Sequence, residues 1–234
     1  VGLLKLVDFF IAPSEFLQNK MLEYGFPPDK IIHIPNFLDI KDVKISHSNN
    51  EYVLYAGRLS HEKGLTTLIR AISLCDSVKL FIAGDGPLGP ELRKMAADVA
   101  LDKVKFLGYV DRNKMQKFIA DALFVIMPSE WYENFPYSIL EAFACGKPVI
   151  GSEIGGIPEL IKDRETGLLF EPGCANDLAE KIQWMIKHPK EREEMGQKAR
   201  ELVERKYNPE LHYERLMAVY EMTLRKHGKS FFIV

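Results

Sequence analysis

Cysteine is scarce in this sequence. Cys75, Cys145 and Cys174 are odd in number, widely spaced and without any CxxC pairing, which argues against a disulfide-stapled secreted fold and fits a reducing cytosol. They are expected to be small buried apolar residues. A charge excess is also missing: 31 basic against 33 acidic side chains leave a formal net charge of −2. With no basic stretch concentrated along the chain, neither a nucleic acid nor an anionic membrane surface is the expected partner. No apolar run approaches the roughly 20 residues that span a bilayer, the closing Phe231-Phe232-Ile233-Val234 included. Low-complexity segments and repeats are absent, and no His, Asp or Glu cluster has metal-ligand spacing. The opening VGLLKLVDFFIAPSEFL is interrupted by Lys5 and followed by no small-residue cleavage site, so it does not read as a secretory leader. Val1 reads instead as an interior residue of a longer protein.

What is present is ordinary for a globular domain: 47% hydrophobic and 27% charged residues over 234 positions. Short apolar runs at 7–12, 31–34, 52–56, 78–83, 104–107, 123–127, 148–151 and 167–170 suit strands buried on both faces. Amphipathic stretches at 65–74, 91–99, 114–120 and 137–144 lie between them. This alternation predicts an α/β fold, a doubly wound, Rossmann-like parallel sheet. Helical spacing of Leu178, Ile182, Met185 and Ile186, and of Met195, Ala199, Leu202 and Val203, adds core-facing C-terminal helices. Asn208-Pro209 starts a last helix reaching about His227. The expected division is a leading βαβ piece with a hinge over 1–40, a nucleotide-binding domain over 41–207 and a terminal helix over 208–234. Residues 41–50 (KDVKISHSNN) read as a linker.

Three segments carry candidate chemistry, each placed after a strand. In Ala56-Gly57-Arg58-Leu59-Ser60-His61-Glu62-Lys63-Gly64, Gly57 permits a tight turn, Arg58 offers a planar fork of donors and Lys63 a mobile charge. Two cations framing a βα turn suit a diphosphate. His61 borders that turn and is expected to face solvent. The second segment, Gly84-Asp85-Gly86-Pro87-Leu88-Gly89, matches a dinucleotide fingerprint, with Asp111 further on. A complete βα unit precedes it, however, and Pro87 and Pro90 remove two backbone donors. Its glycines are better read as close-approach positions lining a ligand crevice, although an NAD-dependent oxidoreductase remains an alternative.

The third runs from Pro128 through Trp131-Tyr132-Glu133-Asn134-Phe135-Pro136-Tyr137-Ser138 to Glu141 and enters a helix near Pro136, whose free N–H groups favour an anion. Glu133 sits just outside that helix, while Glu141 is embedded among Ile139, Leu140, Ala142 and Phe143, where a carboxylate needs hydrogen-bond donors such as ribose hydroxyls. The pair also admits a glycosidase reading. Trp131 and Tyr132 are either a sugar-stacking lip or a cap on the core. Gly155-Gly156-Ile157-Pro158-Glu159 marks a turn into a short helix, as structure or as ligand lining.

Taken jointly, GRLSHEKG, AGDGP, FLGYV, ENFPYSILE and ACGKPVIGSEIGGIPELI resemble family-4 retaining glycosyltransferases of the GT-B fold, over about residues 7–207. The resemblance implies the C-terminal, donor-binding half of such an enzyme, transferring a hexose from a UDP- or GDP-type sugar with retention and without a cofactor or tightly held metal. Arg58 and Lys63 would hold the diphosphate, Glu141 the ribose and Glu133 the sugar hydroxyls. Backbone groups of Asn134, Phe135 and Pro136 would touch the sugar, amides near Tyr137 and Ser138 the distal phosphate, and Tyr109 and Val110 would flank the base. Gly57, Gly84 and Gly86 would line the same crevice. The acceptor, a sugar, lipid-linked or polysaccharide chain, would be met by an N-terminal domain of which only the last strand and helix are present. The implied location is cytoplasmic, with peripheral membrane contact open for a full-length protein. Two departures stand out: Asn134-Phe135-Pro136 replaces Gly-Phe-Gly, and Asn36-Phe37-Leu38-Asp39 replaces Asn-Gly-Val-Asp. A non-catalytic nucleotide-sugar-binding module would keep the same residues.

Overall fold

A computed structural model describes residues 3–45, 51–76, 78–100 and 102–229. The second half of the expected linker (46–50) and the apolar end (231–234) lie outside the described residues. Each of the eight apolar runs overlaps a strand: β1 Phe10–Ala12, β2 Ile31–His33, β3 Tyr52–Ala56, β4 Lys79–Ala83, β5 Val104–Gly108, β6 Val125–Met127, β7 Val149–Ser152 and β8 Gly167–Phe170. The run at 7–12 is strand only from Phe10, and a short 3-10 turn over Leu3–Leu6 precedes it.

The helices are α1 Glu15–Glu23, α2 Leu65–Ser73, α3 Gly89–Val99, α4 Arg112–Asp121, α5 Tyr137–Ala144, α6 Ile157–Leu160, α7 Ala175–Lys187, α8 Pro189–Lys206 and α9 Pro209–Lys226. Local capping chemistry sets several starts. Ser14, Asp111 and Asn208 each accept a backbone N–H three residues on, opening α1, α4 and α9. Pro209 occupies the first position of α9, where its missing N–H costs nothing.

β3 to β8 form one parallel sheet in the order β5-β4-β3-β6-β7-β8. Renumbered along the chain this is 3-2-1-4-5-6, the doubly wound order. Alternation along each strand feeds two cores: Val53 and Tyr55 point to the face covered by α2, α3 and α7, Tyr52 and Leu54 to the face holding α4, α5 and α8. Strands buried on both sides explain the unbroken apolar runs. The order reverses between β3 and β6, paired at Leu54 and Val125. Loops leaving these two strands diverge to opposite faces, and their carboxyl ends border a crevice.

β1, α1 and β2 form a separate two-stranded parallel unit. α9 returns to it: His212 Nδ1 lies 2.8 Å from the Pro35 carbonyl, and Lys226 and His227 reach Asp8 at 2.9 and 3.0 Å.

Candidate active site

The crevice is built by two loops that are sewn together. After β3 the chain passes Gly57 to Ser60, makes a 3-10 turn over His61–Lys63 and enters α2 through Gly64 in the left-handed region (φ 66°). The Glu130 amide, on the loop after β6, donates to the Glu62 carbonyl at 2.9 Å. Thr67 Oγ1 holds the Glu130 carboxylate at 2.6 Å, so Glu130 ties its loop to α2.

This stitching brings Lys63 Nζ within 2.5 Å of Glu133 Oε1, with the two side chains only 26% and 18% exposed. The same oxygen accepts from Ser129 Oγ at 2.7 Å. Ser129 is fully buried, and its carbonyl accepts from Ser152 Oγ at 2.6 Å, which fixes the base of the loop to β7. Beneath the pair, the Tyr55 hydroxyl donates to the Arg58 carbonyl at 2.8 Å. Burial, then the negative charges of Glu133 and Glu62, hold that phenol well above its ordinary value, so it stays a donor at neutral pH. Arg58 and His61 are exposed beside the pair. A hydrogen bond from Ser60, backed by the charges of Lys63 and Arg58, holds the Glu62 carboxyl below its ordinary value.

A second group gathers around α5. Its first turn follows Pro136, which supplies no side-chain cap, so the Tyr137 and Ser138 amides face outward, where an anion is favoured. One turn further on, Glu141 lines a cavity of about 290 Å³ together with Leu38, Tyr109, Val110, Arg112 and Cys145. Burial raises the Glu141 carboxyl above its ordinary value, with the Arg112 charge pulling the other way. Tyr109, 83% exposed, stands at the rim. The lining of this cavity includes neither Lys63 nor Glu133. The residues expected from the sequence therefore come together as two groups, with the α5 N-terminus between them in sequence.

The glycines of the 84–89 turn lie against the backbone of the loop after β3. A Cβ on Gly84 (φ 142°) would sit 1.8 Å from the Gly57 carbonyl oxygen, and one on Gly86 2.4 Å from that of Leu59. The Leu59 amide donates to Asp85 and the Leu88 amide to Leu59, both at 3.0 Å. The close approach they permit is to the neighbouring loop's backbone. The turn also follows the second strand of the sheet order rather than the first, which removes the topological basis for a dinucleotide fingerprint.

Phe135 is buried and packs edge-on against Tyr207 at 5.6 Å, leaving its backbone alone for a ligand. Trp131 is 66% exposed, so it does not cap the core. Tyr132 lies against Phe16 of α1 at 5.0 Å. Cys75 and Cys145 are buried, Cys174 is partly buried, and all three are free thiols. Among the described residues no group of three His, Cys, Asp or Glu side chains is placed to hold a metal ion, and no helix is long and apolar enough to cross a membrane.

Residues 37–202 match the profile of the glycosyl transferases group 1. The chain belongs to that family. The family-4 label drawn from the motifs is corrected to group 1, because those motifs are short crevice and loop-packing segments, while the match over 37–202 weighs the whole domain. Relatives of this group 1 chain include alpha-D-kanosaminyltransferase of Streptomyces kanamyceticus, 30% identical over 72% of the chain and 45% of the relative. N-acetyl-alpha-D-glucosaminyl L-malate synthase of Bacillus anthracis is 30% identical over 95% and 62%. Among solved structures, Alr3699/HepE of Anabaena in complex with UDP and glucose superposes with a TM-score of 0.83 at 27% identity, over 93% of this chain and 63% of that one. The group 1 domain thus has the α/β architecture of the C-terminal half of GT-B glycosyltransferases. The chain spans about half the length of the curated relatives it matches.

Four residues that take part in this geometry escaped sequence reasoning: Ser14, Tyr55, Ser129 and Glu159. Ser129 reads as one residue of a loop and Tyr55 as a strand residue. Ser14 and Glu159 act across 120 and 144 residues, a separation that leaves no local pattern.

Proposed function

We propose that this group 1 chain is the donor half of a glycosyltransferase that moves a hexose from a nucleoside diphosphate sugar to an acceptor with retention. The observation that carries the reading is the Lys63–Glu133 pair at 2.5 Å, held at the switch point of a doubly wound sheet beside the uncapped start of α5. Lys63 and Arg58 supply the positive charge for the diphosphate. They stabilise the negative charge that grows on the leaving group, an effect largest in the transition state. Glu133, freed from Lys63 as the diphosphate takes that cation, accepts hydrogen bonds from sugar hydroxyls and orients the reacting carbon. Backbone groups of Asn134, Phe135 and Pro136 line the sugar, and the Tyr137 and Ser138 amides meet the distal phosphate. Glu141 receives the ribose hydroxyls in the cavity rimmed by Tyr109 and Val110, which flank the base. Gly57, Gly84 and Gly86 line the same crevice as close-approach positions. The likeness to a structure solved with UDP and glucose supports a donor of the same class.

The same proposal divides the chain at 40 and 207. Residues 1–40 form the end of an acceptor-binding domain and its hinge, 41–207 the donor domain, and 208–234 a helix crossing back. The separate β1-α1-β2 sheet and the contacts of α9 with Pro35 and Asp8 support it. The acceptor is a sugar, lipid-linked or polysaccharide chain, and transfer takes place in the cytoplasm. Calorimetry with UDP-glucose and GDP-mannose tests the reading: one of the two binds this chain, with little transfer in the absence of an acceptor domain. Binding of neither overturns it.

A further inference from the structure

The loop that carries Glu133 is gripped from a part of the chain far from the sheet. Glu159, on α6, accepts from the Glu15 amide at 2.8 Å and the Phe16 amide at 2.6 Å. These are the first two N–H groups of α1. The Leu17 amide donates to Ser14 Oγ at 3.0 Å and the Gln18 amide to the Ser14 carbonyl at 3.0 Å. Three orphan donors of the α1 start, the Glu15, Phe16 and Leu17 amides, are therefore satisfied, two of them by a carboxylate from another unit, and the Gln18 amide makes the first regular helical bond. Ser14 is fully buried, and its hydroxyl donates to Asn134 Oδ1. Asn134 adjoins Glu133, whose carbonyl accepts from the Gly156 amide at 2.7 Å. Gly156 opens the helix that bears Glu159. The contacts close into a circuit: Glu133, Gly156, Glu159, the α1 start, Ser14, Asn134 and back to Glu133. The Phe16 and Tyr132 rings, 5.0 Å apart, pack beside it.

We propose that Ser14 and Glu159 are positioning residues through which the leading βαβ unit sets the Glu133 end of the crevice while leaving its nucleoside end alone. The inference rests on the donor reading above for its functional part. Glu133 is reached from one side by Lys63 and Ser129, which belong to the sheet loops, and from the other by this circuit. Tyr109, Val110 and Glu141 line a cavity whose walls include no residue of the circuit. Loosening the circuit would therefore separate recognition of the sugar from recognition of the nucleotide.

The test uses the whole chain with S14A and E159Q, the conservative S14T, and K103A as a control that removes the 2.6 Å hydrogen bond from Lys103 to the Cys75 carbonyl, at the amino end of the sheet. Two readouts are taken. Amide hydrogen exchange without ligand follows Gly156, and calorimetry compares UDP with UDP-glucose and GDP with GDP-mannose. S14A and E159Q are expected to speed exchange at Gly156 and to lose about tenfold in the affinity gained from the attached sugar, the scale of one hydrogen bond. Nucleoside diphosphate affinity stays within about twofold. S14T retains both properties, and K103A leaves both unchanged. Unaltered exchange at Gly156, or the same acceleration in K103A, overturns the circuit. Faster exchange with an undiminished sugar increment overturns its positioning role. If the wild-type chain binds no nucleotide, the donor reading fails, and the positioning role, which rests on it, is overturned with it, whatever the exchange result.

Discussion

Lys63 Nζ and Glu133 Oε1 meet at 2.5 Å across the point where the strand order reverses, joining two loops 70 residues apart. A cation and a carboxylate paired there, largely buried, hold each other oriented. A diphosphate outbids Glu133 for the lysine because it offers more negative charge. We predict that Lys63→Ala weakens nucleoside diphosphate binding by about 10–100-fold, the ~1.5–3 kcal/mol of one charge-assisted hydrogen bond. Calorimetry checks this directly, and unchanged affinity would remove Lys63 from the site.

The glycine turn after β4 gives a test that separates loop packing from dinucleotide binding. Gly84→Ala puts a methyl 1.8 Å from the Gly57 carbonyl oxygen at a φ of 142°, and the expected loss is ~3 kcal/mol or more. Gly89, the first residue of α3, has its nearest neighbour at 3.8 Å. Gly89→Ala is therefore expected to be neutral or up to about 1 kcal/mol stabilising. A dinucleotide fold needs that third glycine for close packing of helix on strand. Urea unfolding of both variants decides, and a large loss at Gly89 would favour the oxidoreductase alternative.

Glu141 predicts a pH signature. Burial raises its carboxyl above 4.5 in the folded chain, so the unfolded chain releases the proton first. Stability is full below the unfolded value and falls as pH rises toward the folded one. Glu141→Gln removes this penalty. The variant is expected to melt above wild type at about pH 7, with the difference closing as pH falls below the ordinary carboxyl value. It also loses nucleoside affinity, since an amide accepts ribose hydroxyls less strongly than a carboxylate. Parallel melting curves at all pH values would contradict the assignment.

Tyr109 tests the nucleoside end without disturbing the fold. Its side chain is 83% exposed, so Tyr109→Ala is expected to change stability by no more than about 0.5 kcal/mol. Loss of a ring flanking the base should weaken UDP or GDP binding by ~1 kcal/mol or more. Equal binding by the variant would place the base elsewhere.

The fold was legible because period and punctuation carry it. The run Tyr52 to Ala56 is buried on both faces and reads as strand from its composition alone. Tyr137–Ala144 starts where Pro136 predicts and has its expected bounds. The turn glycines were visible as residues needing a close approach, but what approaches them is set by the packing of two loops, Leu59 against Asp85 and Leu88. That partner is not encoded near the glycines. The same holds for Glu159, which reads locally as the end of a turn motif and acts on the start of α1, 144 residues away. Phe135 and Trp131, four positions apart in one loop, have opposite fates, buried and exposed. Hydrophobicity does not separate them, and only the position of Tyr207 explains the first.

Thermal stabilisation of the wild-type chain and of Lys63→Ala by UDP, GDP and NADH tests the central claim most directly. The account predicts that UDP or GDP raises the wild-type melting temperature, that NADH does not, and that Lys63→Ala loses most of the rise. Stabilisation by NADH alone, or a nucleoside diphosphate shift that survives Lys63→Ala intact, would contradict it.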